Sequence, residues 1–594
     1  MAYQSNENFY FGSCSPLEPA YGELFTGYRV PLSRIGAPTS IRTANQIAEV
    51  SARLSEGMRV VELQPIQAEI FETIPKQHLK EITRLTKIVG AEATLHAPII
   101  DPAGFTGERI DEVARETAER YLNMIVERAH ELNPEGNMPV TIHATLGLPA
   151  TIVPQPKEPS EEDIIYVVDR ATGNLRVMRR EKRLNLRTGR EELLEPERQL
   201  QEINSRIWNS QLGILAYDKE KAREYIEASA PIVAPIYYEI KEGKIKEEEL
   251  LPEQRNALAH FVTGKAIYDQ VFSQLKMSLN EALRLWPEEK KKKHEGEINQ
   301  IKKSIAEIES RNLIEENPVE AARKCDQIFS IFKKLVTEVP PQQYAFSSDY
   351  ALEKTKETIS NVALNAFKKF GEKAPIISIE NVFPGTVFGT ADELAKLVKE
   401  AREEFVKKAI KEGISESKAR EIAEKMIGAT WDVGHINLLR KYGFPKEKIA
   451  EETKKIAPFV KHVHLTDNFG FEDSHLPPGM GEVPFKEILK ELEKAGYKGK
   501  EIIEAGGFVA QFGVSPTPYI LEALGSPLYE MIMQPFWNQV RGFYGLPGVY
   551  SAGYGLILPE QHFSMYGAGF AALPTELGGT MPGKGQRFAG VPME

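Results

Sequence analysis

Short apolar runs of four or five residues alternate along this chain with longer stretches in which apolar side chains recur every three or four positions. The first pattern predicts buried strands and the second amphipathic helices. Their regular alternation predicts a parallel sheet with crossover helices. A strand is expected near Tyr28–Ile35, a helix over 43–56 and a second strand over Arg59–Leu63. The helix over 75–89 stops at Gly90, a residue suited to a helix C-terminus, and a strand ending in His96 follows. A helix over 109–132 precedes a strand ending in His143. After a long gap the pattern resumes with a helix over 350–370 and a strand ending in Glu380. A helix over 391–412, extended over 416–426, leads to a strand ending in Asp432. Helices over 446–456 and 485–495 lead to strands ending in His464 and Glu504. Eight such strands are the number that closes a (β/α)8 barrel.

On this reading residues 1–151 form the first half of a TIM barrel, with strands 1–4, and residues 350–524 form the second half. Residues 152–349 interrupt the fourth unit between strand and helix. Loops at that end carry the active site of such a barrel, so this insertion is expected to stand over its mouth. It opens with a hairpin, Ile164–Val168 and Leu175–Met178, around the turn-forming stretch Asp169-Arg170-Ala171-Thr172-Gly173-Asn174. The remainder is helical, and the charges of Lys290–Lys293 and 296–310 predict a solvated arm. Residues 525–594 are rich in Gly and Pro but keep aromatics such as Phe536-Trp537 and Phe543-Tyr544. They predict an irregular wrap or a homo-oligomer arm in place of long regular elements.

Composition narrows the class. At 594 residues the chain is long enough for a decorated barrel, and no apolar stretch is long enough to span a bilayer. The first residues lack the basic-then-apolar plan of a signal peptide, and Cys14 and Cys325 make no disulfide framework. A cytoplasmic protein without membrane attachment is expected. A net charge of -11 argues against wholesale coating of nucleic acid but leaves room for a local basic patch. One candidate is the run Arg176, Arg179, Arg180, Lys182, Arg183, Arg187 and Arg190, either a solvated edge or a grip on a phosphate backbone.

The chemistry lies at the strand ends. His96, His143, Glu380, Asp432 with His435, His464 with Asp473 and His475, and Glu504 each follow an apolar run. In a parallel barrel, residues at the carboxyl ends of successive strands converge on one mouth. Any one of these side chains fits a bland structural role equally well. Carboxylates and imidazoles at six strand ends in register are together what a hard or borderline divalent ion requires. His462, two residues before His464, should also face the interior, as a core residue or a support for the ligands.

The stretch from Ile376 to Gly507 resembles the xylose isomerase-like TIM-barrel superfamily, also called AP endonuclease family 2. That superfamily includes sugar isomerases and epimerases and the endonuclease IV family of DNA-repair enzymes. The resemblance is carried by Ile379-Glu380-Asn381, Trp431-Asp432-Val433-Gly434-His435, His462-Val463-His464-Leu465-Thr466-Asp467, Asp473-Ser474-His475-Leu476-Pro477-Pro478-Gly479-Met480-Gly481-Glu482 and Ile503-Glu504-Ala505-Gly506, with His96-Ala97-Pro98 in the first half. It implies a shared metal quartet of Glu380, Asp432, His464 and Glu504, holding one divalent ion in the sugar enzymes. In the endonuclease IV family the resemblance implies up to three zinc ions, with His96, His143 and Glu380 at one and His435, Asp473 and His475 at another. Ser474 stands where that family's loop carries arginine, and Ala144-Thr145-Leu146-Gly147 lacks its Pro-Gly.

Three functions follow as expectations. The first is a metal-dependent hydrolase resembling endonuclease IV. Metal-activated water would attack a phosphodiester, Glu380 and Glu504 would bridge ions or orient that water, and Arg176, Arg179, Arg180 and Arg183 would contact a nucleic acid. The second is a sugar or sugar-phosphate isomerase or epimerase with one manganese, magnesium or cobalt ion, in which the two glutamates move protons between carbons. The third is a non-catalytic scaffold acting through the helical insertion and the tail.

Overall fold

A computed structural model describes residues 34–506 except 158 and 479, together with 509 and 515. The expectations for residues 525–594 and for Cys14 lie outside the described residues. The chain divides into two compact units, one running to Pro159 and resuming at Phe346, the other spanning Ser160–Ala345.

In the first unit, β1 (Ile35–Pro38), β2 (Val60–Leu63), β3 (Glu92–His96) and β4 (Pro139–His143) precede the second unit. The second unit carries β5 (Ile164–Asp169), β6 (Leu175–Arg179), β7 (Lys182–Asn185) and β8 (Arg190–Leu193), and β9 (Tyr344–Phe346) closes it. Then come β10 (Ile376–Glu380), β11 (Ile427–Asp432), β12 (Val460–His464) and β13 (Glu501–Ile502). The eight strands of the first unit close a barrel in the order β1-β13-β12-β11-β10-β4-β3-β2, with parallel pairing throughout. The predicted (β/α)8 TIM barrel is the observed fold.

Its helices form where the sequence supplies both periodicity and end signals. Asn45 caps Gln46–Ser55 by accepting from Ala48 N, and Asp111 caps Glu112–Leu132 by accepting from Ala114 N. The helix Lys76–Val89 ends where Gly90 takes the left-handed conformation, φ 66°. The first strand begins at Ile35, later than the pattern near Tyr28 suggests; residues 28–33 lie outside the described set.

Register decides which residues meet. His143 lies opposite Glu380, and Asp432 lies opposite His464. Between β11 and β12 the register shifts at Ala429/Thr430, so that Thr430 opposes His462. That shift puts His462 and His464 in phase with the inward-facing Thr430 and Asp432. Below the ligands, Thr430 Oγ1 bonds Ser378 Oγ (2.8 Å) and Thr141 Oγ1 (3.0 Å), which satisfies a polar layer that no water reaches.

The second unit has its own core. Helices Pro196–Val233, Pro252–Leu285, Glu295–Ser310 and Pro318–Glu338 pack around Trp208, Phe261, Leu275 and Phe332. The predicted hairpin is β5 paired antiparallel with β6. A second hairpin, β7 with β8, follows it; its exposed, charged sequence reads only as a charge run. The expectation of a solvated arm is corrected. Ile298, Ile301 and Ile308 form a buried seam along their helix, and Lys290 is itself buried. The Lys290 ammonium lies over the Trp286 ring and donates to Leu335 O (2.6 Å) and Val339 O. Burial pushes its pKa down to about 8. Three of the seven residues of the basic run are paired locally. Arg180 is buried between Asp163 and Glu195, Arg183 pairs with Glu181 and Glu202, and Lys182 pairs with Glu161. Among the described residues no helix is long and apolar enough to cross a membrane.

Candidate metal centre

The nine sequence-predicted residues meet at the carboxyl ends of the barrel strands, joined by contacts of 4.0 Å or less. His96 Nε2 and His143 Nε2 both lie 3.2 Å from Glu380 Oε2. The other oxygen, Glu380 Oε1, is 2.8 Å from His464 Nδ1. The same Nδ1 is 3.5 Å from Glu504 Oε1 and 4.0 Å from Asp432 Oδ2. On the other flank, His435 Nε2 is 3.9 Å from Asp432 Oδ2 and 3.4 Å from Asp473 Oδ2. His475 Nε2 is 2.6 Å from Asp473 Oδ2, and His475 Nδ1 is 3.8 Å from Glu504 Oε2. His475 adopts φ 45°, a backbone state costly for a residue with a side chain and tolerated where the surroundings enforce it.

Four groups of these residues are close enough to hold an ion: Glu380, Asp432 and His464; His96, His143 and Glu380; His96, His464 and Glu504; and His435, Asp473 and His475. Asp432 fits such a role best. Its Oδ1 accepts from Gly434 N (2.7 Å), His435 N (2.9 Å) and Thr466 Oγ1 (2.7 Å). Its Oδ2 is buried with no hydrogen-bond partner, as is Asp473 Oδ1. A buried carboxylate oxygen left bare is costly unless a cation or donor meets it.

The electrostatics sort the acids. Burial pushes the Glu380 carboxyl up, but the His464 and His143 rings outweigh it and hold it well below the usual range. Burial pushes Glu504 up, against the pull of His464, and the net shift is upward. Burial drives His143 down to about 4, leaving it neutral and able to ligate. His475 rises to about 9 because Asp473 outweighs its burial.

Other residues complete the setting. Asn381 ties β10 to β11, accepting from Asp432 N (2.8 Å) and donating to Asp432 O (3.0 Å), while its carbonyl accepts from His435 Nδ1 (2.8 Å). Gln64 Nε2 donates to Glu504 Oε1 (2.7 Å). Glu62, on β2, reaches both His462 and His464. Sequence reading did not single out Gln64 or Glu62. The available signal was a carboxylate inside the apolar run Val60-Val61-Glu62-Leu63, a position that solvent does not reach.

Asp467 closes the loop that follows β12. It accepts from Asn468 N (2.9 Å), Gly481 N (2.8 Å) and Val483 N (3.0 Å), and so holds the loop that carries Asp473 and His475. A Cβ at Gly481 would lie 2.3 Å from Asp467 Oδ1. Gly481→Ala is therefore expected to destabilise the fold by about 1–3 kcal/mol, as overpacking does. Denaturant unfolding checks this, and an unchanged midpoint would show the loop to be adaptable.

Residues 331–508 match the family model described as "Xylose isomerase-like TIM barrel". The match takes in β10–β13 and the ligands from Glu380 to Glu504, and with the closed barrel it shows the resemblance read from the sequence for that segment. The chain is 39% identical over 85 residues to an uncharacterized protein of Methanocaldococcus jannaschii, which is 14% of this chain and 28% of the relative. It is 28% identical over 78 residues to the fructoselysine 3-epimerase of Shigella flexneri, which is 13% of this chain and 27% of the relative. The chain thus spans little more than a quarter of the length of these curated relatives. Among solved structures, a D-tagatose 3-epimerase-like protein is 14% identical, with a TM-score of 0.37 and coverage of 84% of this chain and 100% of the other. A D-psicose 3-epimerase from Clostridium cellulolyticum H10 is 8% identical, with a TM-score of 0.36 and the same coverages, 84% and 100%.

These findings correct the first functional expectation. A relative of named activity matched by sequence is a fructoselysine 3-epimerase, so the phosphodiester hydrolase resembling endonuclease IV is set aside.

Proposed function

We propose that this protein is a metal-dependent isomerase or epimerase of a sugar or sugar phosphate. The observation that carries the proposal is the convergence of Glu380 Oε1, Glu504 Oε1 and the bare Asp432 Oδ2 on the single nitrogen His464 Nδ1. These four residues would hold one divalent ion of manganese, magnesium or cobalt. Such an ion supplies Lewis acidity, which weakens the C–H bond beside a carbonyl.

The protein's own groups then move the proton. One of Glu380 and Glu504 takes it from the carbon beside the carbonyl, and the other, protonated, returns one. Return to the opposite face of the same carbon is epimerisation; return to the former carbonyl carbon, with the hydroxyl proton of the first carbon passing to the former carbonyl oxygen, is isomerisation. Either course is redox-neutral. Burial of Glu380 and Glu504, 1% and 4% exposed, keeps water from competing for the proton. His96, His143, His435 and His475 line the same mouth and supply donors to sugar hydroxyls.

The test is proton exchange. The manganese-loaded protein is incubated in D2O with a panel of ketoses and ketose phosphates and followed by proton NMR. Deuterium is expected at the carbon beside the carbonyl of at least one sugar, together with the signals of its epimer or isomer. Retention of every carbon-bound proton by protein shown to hold its ion contradicts the proposal.

A further inference from the structure

His464 has a second nitrogen, and what it faces points to a role for two residues beneath the mouth. Its Nε2 lies 3.0 Å from Glu62 Oε1, on the side of the ring away from the quartet. Glu62 Oε2 is already taken, accepting from Thr94 Oγ1 (2.8 Å) and from His462 Nε2 (2.9 Å). This leaves Oε1 for His464: neither Glu62 Oε1 nor His464 Nε2 has a hydrogen-bond partner, and each is the other's 3.0 Å neighbour. Glu62, His462 and His464 are each 0% exposed, so water is no substitute. We infer that Glu62 is the positioning residue that fixes His464 as a ligand, and that His462 and Thr94 hold Glu62 for that task.

The inference rests on the quartet proposed above and follows from proton placement. A neutral imidazole carries one proton. If Nδ1 binds an ion, the proton is on Nε2, and a ligating histidine gives that N–H to a carboxylate or carbonyl, which sets the ring's tautomer and orientation. Glu62 Oε1 is the acceptor in place. The contact is at hydrogen-bond distance without hydrogen-bond alignment, while Nδ1 on the other side of the ring lies 2.8 Å from Glu380 Oε1. Without Glu62 the Nε2–H is buried and unmet, and the ring is free to turn. The histidine two positions earlier has a purpose on this account. The register shift in β12 turns His462 inward, where it occupies the Glu62 oxygen that His464 does not need.

The experiment compares Glu62→Gln with Glu501→Gln. Glu501 is also a buried carboxyl in the barrel, but it pairs with Arg34 and not with His464. Manganese affinity is read by chelator competition, with circular dichroism as the check on folding. Glu62→Gln is expected to weaken binding by about 10–100-fold, the usual cost of losing a ligand's outer partner, and Glu501→Gln to leave it unchanged. A folded Glu62→Gln protein with unchanged affinity overturns the inference. So does a wild type with two ions per chain of which the variant keeps one, because Glu62 would then be a ligand. Should the variant fail to fold, histidine-ring nitrogen NMR on the magnesium-loaded wild type decides. A proton on His464 Nε2 is expected, and one on Nδ1 overturns the inference. If the wild type binds no ion at all, the quartet fails and with it the proposed function; if it binds one ion and Glu62→Gln binds it equally well, only this inference fails.

Discussion

Glu504→Gln is expected to lower turnover by about 10²–10⁴-fold, the range associated with losing a positioned acid or base. The side chain keeps its size, and Gln64 remains 2.7 Å from the position of Oε1, so the pocket wall should stay in place. The proton-transfer role predicts a particular pattern. Deuterium exchange into the sugar should fall less than conversion if Glu380 is the abstracting base, because Glu380 still accepts and releases the substrate proton on its own face. Substrate affinity should move far less. Turnover at the wild-type rate in Glu504→Gln protein shown to hold its ion would mean that Glu504 is neither the base nor the acid.

The second large effect is expected at Asp432, where two substitutions separate two roles. Asp432→Asn keeps an oxygen for Gly434 N, His435 N and Thr466 Oγ1 but places an amide where the bare Oδ2 stood. Metal affinity is expected to fall by more than the roughly 10–100-fold that an outer-sphere partner costs, with little loss of stability. Asp432→Ala should lose the metal and also destabilise the fold by about 1–3 kcal/mol, because the cap of Val433–Asn437 leaves its buried donors unmet. Titration calorimetry and denaturant unfolding read the two quantities separately. Equal stability of the two variants would show that Oδ1 holds no loop.

The barrel was legible because its signals repeat. β10, β11 and β12 end in ligand-type residues, Glu504 follows β13 by two positions, and several helices show apolar periodicity bounded by a cap or a glycine, as at Asn45, Asp111 and Gly90. Nine side chains scattered from His96 to Glu504 could therefore be placed at one mouth before any coordinates. Glu62 escaped notice because it stands inside an apolar run and only the closed barrel brings it to His464 across 402 positions. The register shift at Ala429/Thr430 is likewise a property of strand pairing, with no mark in composition. In the second unit, charge misled. The lysine-rich Lys290–Lys293 is attached to a helix pair whose isoleucine seam is buried, so local polarity hid a packed core. Chemistry was the least legible property. Carboxylates and imidazoles that hold ions for hydrolysis also hold an ion for proton transfer between carbons, and residue types alone do not separate the two.

The central claim is that Glu380, Asp432, His464 and Glu504 share one divalent ion. Anomalous diffraction from crystals of the manganese-loaded protein tests it most directly. The account predicts a peak bounded by Glu380, Glu504, Asp432 Oδ2 and His464 Nδ1. A fully loaded crystal with no peak among those four residues, or with manganese held only elsewhere, would contradict it.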